Sequence, residues 1–131
     1  MRVFDSSAVL ALIFDEPGAD LAARLMDEHD ALISSVNQAE VLGKLFDRGL
    51  SVDDVATISQ QLPLKVMPFT PEQARMAGAL RPATRTQGLS LGDRCCLALA
   101  QQQGGATVVT ADPTWASTWA GLAGFDITLI R

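Results

Sequence analysis

Short apolar runs alternate along this chain with longer segments of helical periodicity. Apolar and β-branched residues predict strands at residues 2–5, 31–34, 64–69, 106–110 and 126–130. Apolar spacing, with capping and stop signals, predicts helices at residues 19–27, 37–48, 51–61, 70–81, 90–103 and 113–120. Residues 82–88 are predicted as a loop. Because strands alternate with helices, we expect one α/β domain over residues 1–131, an α/β/α sandwich around a central, mainly parallel sheet of about five strands.

The composition narrows the class of protein. With 131 residues and 48% hydrophobic residues, the chain has the size of one domain with a sizeable core. No apolar run reaches the ~20 residues that cross a bilayer, and the first residues do not resemble a signal peptide. The adjacent Cys95 and Cys96 are poorly placed to bridge each other, so we expect two buried thiols in a reducing cytoplasm. His29 is interpreted as a surface residue, and Trp115 and Trp119, four residues apart, as core residues.

The charge distribution leaves a nucleic-acid partner open. A net charge of −5 argues against one. However, residues 75–92 contain Arg75, Arg81 and Arg85 and no acidic residue. This strip is either a phosphate-binding surface or a solvated loop face, and composition alone does not decide between them.

Four acidic residues stand beside apolar segments at the ends of predicted elements. Asp5 lies at the carboxyl end of a predicted strand and Asp112 just past the end of another, while Glu40 and Asp93 each lie in the first turn of a predicted helix. Ligands of parallel α/β sheets bind outside the carboxyl ends of the strands. Carboxylate oxygens are the ligands that Mg²⁺ prefers. The pattern therefore indicates a site for a hard divalent cation.

Each of these acids also has a structural explanation. Asp5 could cap a helix that begins near Ser6, and Asp112 could cap the helix that follows it. The spacings in residues 37–40 and 90–93 are those of capping boxes. Four independent caps would not predict that all four acids meet at one edge of the sheet, so both explanations stay open for each residue.

Four segments around these acids resemble the motifs of the PIN domain, in that family's order. They are VFDSSA at residues 3–8, SVNQAEV at 35–41, LSLGDR at 89–94 and TAD at 110–112. The resemblance is closest to the VapC-type ribonuclease toxins of bacterial toxin–antitoxin pairs, and it runs from residue 3 to the end of the chain. No single motif is diagnostic, but four in order are specific.

This resemblance implies a fold, an activity and partners. It implies a PIN-like fold and an endoribonuclease that uses Mg²⁺ or Mn²⁺ to activate a water molecule. Asp5, Glu40 and Asp93 correspond to the main metal-binding acids, and Asp112 to a more variable fourth. Ser6 and Thr110 match hydroxyl positions that orient those acids or a metal-bound water. The resemblance also implies a homodimer and a VapB-like antitoxin whose tail enters the acidic groove.

Four arginines are candidates for contact with the substrate, and three other functions are open to comparison. We expect RNA phosphates to contact Arg75, Arg81, Arg85 and Arg94, which flank the Asp93 motif. A catalytically silent PIN-fold binding module is the main alternative, although such a module is expected to have lost one of the main acids. A phosphoacceptor signalling domain would need a late lysine, and no lysine follows Lys65. No glycine-rich phosphate loop supports nucleotide binding.

Overall fold

A parallel sheet forms the centre of the protein. The computed structural model describes residues 1–28, 30–117 and 124–131, and within them five strands form one sheet of order β3-β2-β1-β4-β5. All four neighbouring pairs are parallel, which confirms the predicted α/β architecture. The strands are β1 Arg2–Phe4, β2 Ala31–Ser34, β3 Lys65–Met67, β4 Thr107–Thr110 and β5 Ile127–Leu129.

The helices mostly agree with the predictions, with two corrections. They are α1 Ser6–Ile13, α2 Ala19–Glu28, α3 Ser35–Asp47, α4 Val52–Gln61, α5 Pro71–Ala79, α6 Arg81–Thr84, α7 Leu91–Gln102 and α8 Thr114–Ser117. The prediction of a loop at residues 82–88 is wrong, because α6 and a 3-10 turn at Arg85–Gln87 occupy most of it. Pro82 lies in the first turn of α6, where a missing N–H costs nothing.

The second correction concerns the start of α3. The Ser34 side chain accepts a hydrogen bond from the Val36 N–H, so α3 begins at Ser35, two residues earlier than predicted. A capping box at residues 37–40 is therefore wrong, and Glu40 lies in the second turn of α3. The predictions for His29, for Trp119 and for residues 118–120 of the last helix fall outside the described residues.

Both faces of the sheet are covered. Phe4 and Val109 pack with α1 and α2 on one face, whereas Val3 and Val108 pack with α7 on the other, as the alternation of side chains along a strand requires. Trp115 is fully buried beside α7, which confirms its predicted place in the core. Cys95 and Cys96 are buried free thiols, as predicted. No helix among the described residues is long and apolar enough to cross a membrane.

The topology fixes where a site can form. From β1 the chain passes to β2 on one side, and β4 lies on the other side, so a crevice opens at the carboxyl ends of β1 and β4. Helices α1 and α3 leave the sheet at this edge. Helix α7 precedes β4 and runs antiparallel to it. The amino terminus of α7 therefore lies at the same edge of the sheet.

Candidate active site

Asp5 lies at the centre of this crevice and is 3% exposed. It directly follows β1 and caps α1, with Oδ1 accepting from the Ala8 N–H at 3.0 Å. Oδ2 accepts from the Thr110 hydroxyl at the end of β4, at 2.7 Å. The carboxylate is thus fixed between the ends of the two central strands.

Ser7 also holds Asp5, a contact that the sequence analysis missed. Its Oγ donates to Asp5 at 2.8 Å and accepts from the Ala111 N–H at 2.9 Å, so it joins α1 to the end of β4. Motif position had pointed to Ser6 instead. The signal for Ser7 was available, because the side chain of a capping residue lies over the second and third residues of its helix.

Glu40 projects from α3 toward the same crevice. Its Oε1 accepts from the Ser6 hydroxyl at 2.7 Å and from Asn37 Nδ2 at 2.8 Å. Asn37 also donates to the Gly92 carbonyl of α7 at 3.0 Å, and only 1% of the residue is exposed. Local spacing predicts Asn37 as a helix cap and misses this role, although residues three apart on a helix, such as Asn37 and Glu40, lie on one face.

Asp93 is held at the amino terminus of α7 by the predicted capping box with Ser90. Asp93 Oδ2 accepts from the Ser90 N–H at 2.9 Å, and Ser90 Oγ accepts from the Asp93 N–H at 3.2 Å. The preceding Gly92 faces Glu40, and a Cβ built there would come within 2.5 Å of both carboxylate oxygens. The lack of a side chain at Gly92 therefore lets Glu40 approach this helix end.

Asp112 follows β4 at the same edge and is half-buried. Its N–H donates to Thr110 Oγ1 at 3.1 Å, and its Oδ1 accepts from the Thr114 N–H at 3.0 Å. Asp112 therefore accepts from an N–H in the first turn of α8, and it caps this helix as one of its two explanations predicted. The caps formed by Asp5, Asp93 and Asp112 coexist with the convergence of the acids on one crevice.

The charges of Glu40 and Asp112 act on Asp93, and the charge of Asp93 acts on Asp5. Burial raises the pKa of Asp5 to about 6, against the lowering effect of its hydrogen bonds, and the charge of Asp93 raises it further. Burial also raises the pKa of Asp93; hydrogen bonds from Ser90 oppose this, and the charges of Asp112 and Glu40 add to it. Among the described residues the ion pairs involve Glu16 and Glu28, and none involves the four acids.

The chemistry of the site fits a hard divalent cation. Within the described part of the chain, hydrogen bonds engage only Oε1 of Glu40, Oδ2 of Asp93 and Oδ1 of Asp112, which leaves the second oxygen of each for another partner. The buried Oδ1 of Asn37 also has no hydrogen-bond partner. No group of three or more His, Cys, Asp or Glu side chains in residues 1–28, 30–117 and 124–131 is arranged to hold a metal ion as it stands.

The predicted arginines are divided between two environments. Arg75, Arg81 and Arg85 are exposed on α5, α6 and the 3-10 turn. Arg94 is half-buried, and its Nη1 donates to the Ala77 carbonyl of α5 at 3.1 Å. The structure therefore brings the four acids together with Ser6 and Thr110, while Arg94 joins α7 to α5.

Comparison with known proteins places the chain in a family. The model of the PIN domain matches residues 2–118, so the chain belongs to the PIN domain family, as the four motifs predicted. No curated protein matches the sequence significantly.

Several solved structures share the fold. A toxin–antitoxin complex from Klebsiella pneumoniae is 19% identical with a TM-score of 0.74, covering 100% of this chain and 98% of that one. FitAcB from Neisseria gonorrhoeae is 18% identical with a TM-score of 0.70, covering 99% and 98%. VapC20 from Mycobacterium tuberculosis, described as a toxin that cleaves the sarcin–ricin loop, is 16% identical with a TM-score of 0.71, covering 89% and 94%. At these identities the comparisons establish the PIN fold.

Proposed function

We propose that this chain is an endoribonuclease that depends on Mg²⁺ or Mn²⁺ and hydrolyses RNA at the four acids, Asp5, Glu40, Asp93 and Asp112. One observation carries the proposal: in a PIN fold, the charges of Glu40 and Asp112 act on Asp93 and that of Asp93 on Asp5 at the carboxyl edge of the sheet, and no ion pair among the described residues neutralises these four acids. Carboxylate oxygens without a protein cation are the donor set of a hard metal ion.

The residues of the chain have separate tasks in this proposal. Thr110 and Ser7 hold the carboxylate of Asp5, while Ser6 and Asn37 hold that of Glu40. A divalent ion bound here lowers the pKa of a coordinated water and offsets charge on the scissile phosphate. Exposed Arg75, Arg81 and Arg85 bind flanking phosphates, with a smaller share for Arg94 because its guanidinium contacts α5.

The biological setting is a further part of the proposal. We propose a cytoplasmic toxin that forms a homodimer and is inhibited by a VapB-like antitoxin. The structural neighbours support this, since several are complexes of toxins with antitoxins. An arginine on the antitoxin tail would suit four uncompensated carboxylates, because its planar guanidinium pairs with them bidentately. Co-expression with the partner should give a tight complex with little nuclease activity, and a chain that is harmless alone and retains no partner would argue against the toxin role.

The decisive experiment is cleavage of single-stranded RNA with Mg²⁺, with Mn²⁺ and with EDTA. Asp5→Asn, Glu40→Gln and Asp93→Asn should each lower kcat by orders of magnitude, and Asp112→Asn by less, because each removes a metal ligand. Products should carry a 5′-phosphate. Asp53→Asn, which changes an exposed acid of α4, is the matched control and should keep full activity. Undiminished cleavage in EDTA would contradict the proposal, and RNA binding without cleavage would favour a silent PIN-fold module.

A further inference from the structure

Helices α1 and α3 run side by side away from the carboxylate site. At the near end Ser6 Oγ donates to Glu40 Oε1 at 2.7 Å. At the far end the guanidinium carbon of Arg48 lies 4.2 Å from the centre of the Phe14 ring. Both contacts join residues 34 apart in sequence, so the helices stay in register over about 12 Å, eight residues at ~1.5 Å each.

A groove opens along this helix pair. We name it the α1–α3 groove, and it is lined by Leu10, Phe14, Glu16, Lys44, Asp47 and Arg48. Glu40 and Lys44 lie on α3, and Arg48 caps its carboxyl end. Because the three are spaced four residues apart, they lie on one face of the helix and lead outward from the site. Lys44 and Arg48 are exposed, and neither forms an ion pair among the described residues.

We propose that the α1–α3 groove binds the backbone phosphates of single-stranded RNA on one side of the scissile bond. This inference rests on the proposed ribonuclease function and assigns it a substrate track. The two cations lie about one and two helical turns beyond Glu40, and their charge is complementary to phosphate. Arg48 stacked on Phe14 keeps the edges of its guanidinium available for bidentate contact with phosphate oxygens. At ~3.4 Å per phosphate of a stacked strand, 12 Å covers about four nucleotides.

Two acidic residues, Glu16 and Asp47, also line the groove. Glu16 is paired with Arg131 at 3.7 Å, so part of its charge is compensated. Asp47 is exposed and forms no ion pair among the described residues, so it should repel a bound strand. A simpler explanation for Lys44 and Arg48 is that cations stabilise the carboxyl end of α3. That explanation predicts an effect on stability and none on RNA.

The test uses the two lysines of the chain as a matched pair. Lys44→Gln and Lys65→Gln change the net charge equally, but Lys65 lies at the start of β3, away from the groove. With the RNA cut by the wild type, Lys44→Gln and Arg48→Gln should each raise KM several-fold and leave kcat nearly unchanged. Each lost phosphate contact should also lower the salt dependence of binding, by about 0.7 in the log–log slope. Lys65→Gln should match the wild type, and Asp47→Asn should lower KM.

Substrates truncated on one side locate the track. Two RNAs that keep a long arm only 5′ or only 3′ of the scissile bond should differ, and only one of them should respond to Lys44→Gln. Arg48→Lys, which keeps the charge, should retain more affinity than Arg48→Gln. Equal responses of Lys44→Gln and Lys65→Gln on both RNAs would overturn the proposal, as would variants that weaken only an antitoxin complex.

A separate measurement distinguishes failure of the groove from failure of the ribonuclease proposal. Binding of labelled single-stranded RNA is followed by fluorescence anisotropy in an Asp93→Asn background, which leaves the RNA intact. A wild type that fails to cut RNA with Mg²⁺ or Mn²⁺ rejects the ribonuclease function alone if this binding still depends on Lys44 and Arg48. A wild type that cuts RNA without such dependence rejects the groove alone.

Discussion

At the residue scale, Asp5 combines two demands on one carboxylate. It caps α1 and joins the ends of β1 and β4, and both tasks require a buried acceptor. Burial raises the pKa of the same group to about 6. The buried negative charge therefore lowers the stability of the folded chain at neutral pH unless a cation accompanies it.

The first prediction concerns stability against pH in EDTA. The pKa of Asp5 is about 6 in the folded chain against an ordinary value of 3.8, so the folded state keeps this proton to a higher pH than the unfolded state does. As pH rises from about 4 to about 6, the wild type should lose up to about 3 kcal/mol of unfolding free energy and then level off. Asp5→Asn keeps an acceptor for the cap and should lose less. The measurement is urea unfolding from pH 4 to pH 8, and parallel curves for the two proteins would contradict it.

The second prediction concerns Asn37 as a positioning residue. Asn37→Leu removes the donor to Glu40 Oε1 and to the Gly92 carbonyl while keeping a similar volume. Losing such support should weaken Mn²⁺ binding about 10- to 100-fold, and excess metal should restore much of kcat. Calorimetric titration with Mn²⁺ measures the affinity directly. A merely structural role would lower the melting temperature and leave the Mn²⁺ affinity unchanged.

The same residues show what sequence could predict at this scale. The four acids were named because charged groups beside apolar runs need an explanation, and the crevice contains all of them. Ser7 and Asn37 were missed because their roles depend on contacts across the fold, to Ala111 and to Gly92. Local patterns predicted a helix cap for Asn37 and no role for Ser7.

At the scale of elements, the amino terminus of α7 packs closely against the Glu40 side chain of α3. Gly92 faces the Glu40 carboxylate, and Asn37 bonds its carbonyl. The order and type of most elements followed from periodicity and caps, because those signals lie within the element itself. The predicted start of α3 was wrong because Ser34 caps the helix. The predicted loop after residue 81 was wrong because a proline is tolerated in the first turn of α6.

The third prediction is therefore Gly92→Ala. The new Cβ would lie 2.5 Å from the Glu40 oxygens, so that flexible and exposed carboxylate should move aside while the fold is retained. Alanine also favours helix over glycine, by up to ~1 kcal/mol in a helix interior and less in a first turn. The variant should lose RNA cleavage and Mn²⁺ affinity at unchanged or slightly higher stability. Gly78→Ala is the matched control because its Cβ would meet nothing within 4 Å, and it should keep full activity. Equal activity of the two variants would contradict a role for the close approach of Glu40.

At the scale of the whole molecule, a net charge of −5 coexists with a crevice of four carboxylates. Any cation will stabilise such a protein to some degree by screening, so stabilisation by a metal is informative only against a matched change in charge. Asp93→Asn and Asp53→Asn both bring the net charge to −4, but only Asp93 lies in the crevice.

The last prediction uses that pair. A ligand that binds only the folded state stabilises it by RT ln(1 + [L]/Kd), about 2.7 kcal/mol at a hundredfold excess over Kd. Wild type and Asp53→Asn should therefore show the same rise in melting temperature when Mn²⁺ replaces EDTA at constant ionic strength, and Asp93→Asn a smaller one. In EDTA at neutral pH, Asp93→Asn should be the more stable of the two variants, because removing one of four mutually repelling charges relieves strain while an asparagine oxygen can still accept from the Ser90 N–H. If both variants gain equally from Mn²⁺, the cation acts by screening alone, and the four acids serve as caps that happen to share an edge of the sheet.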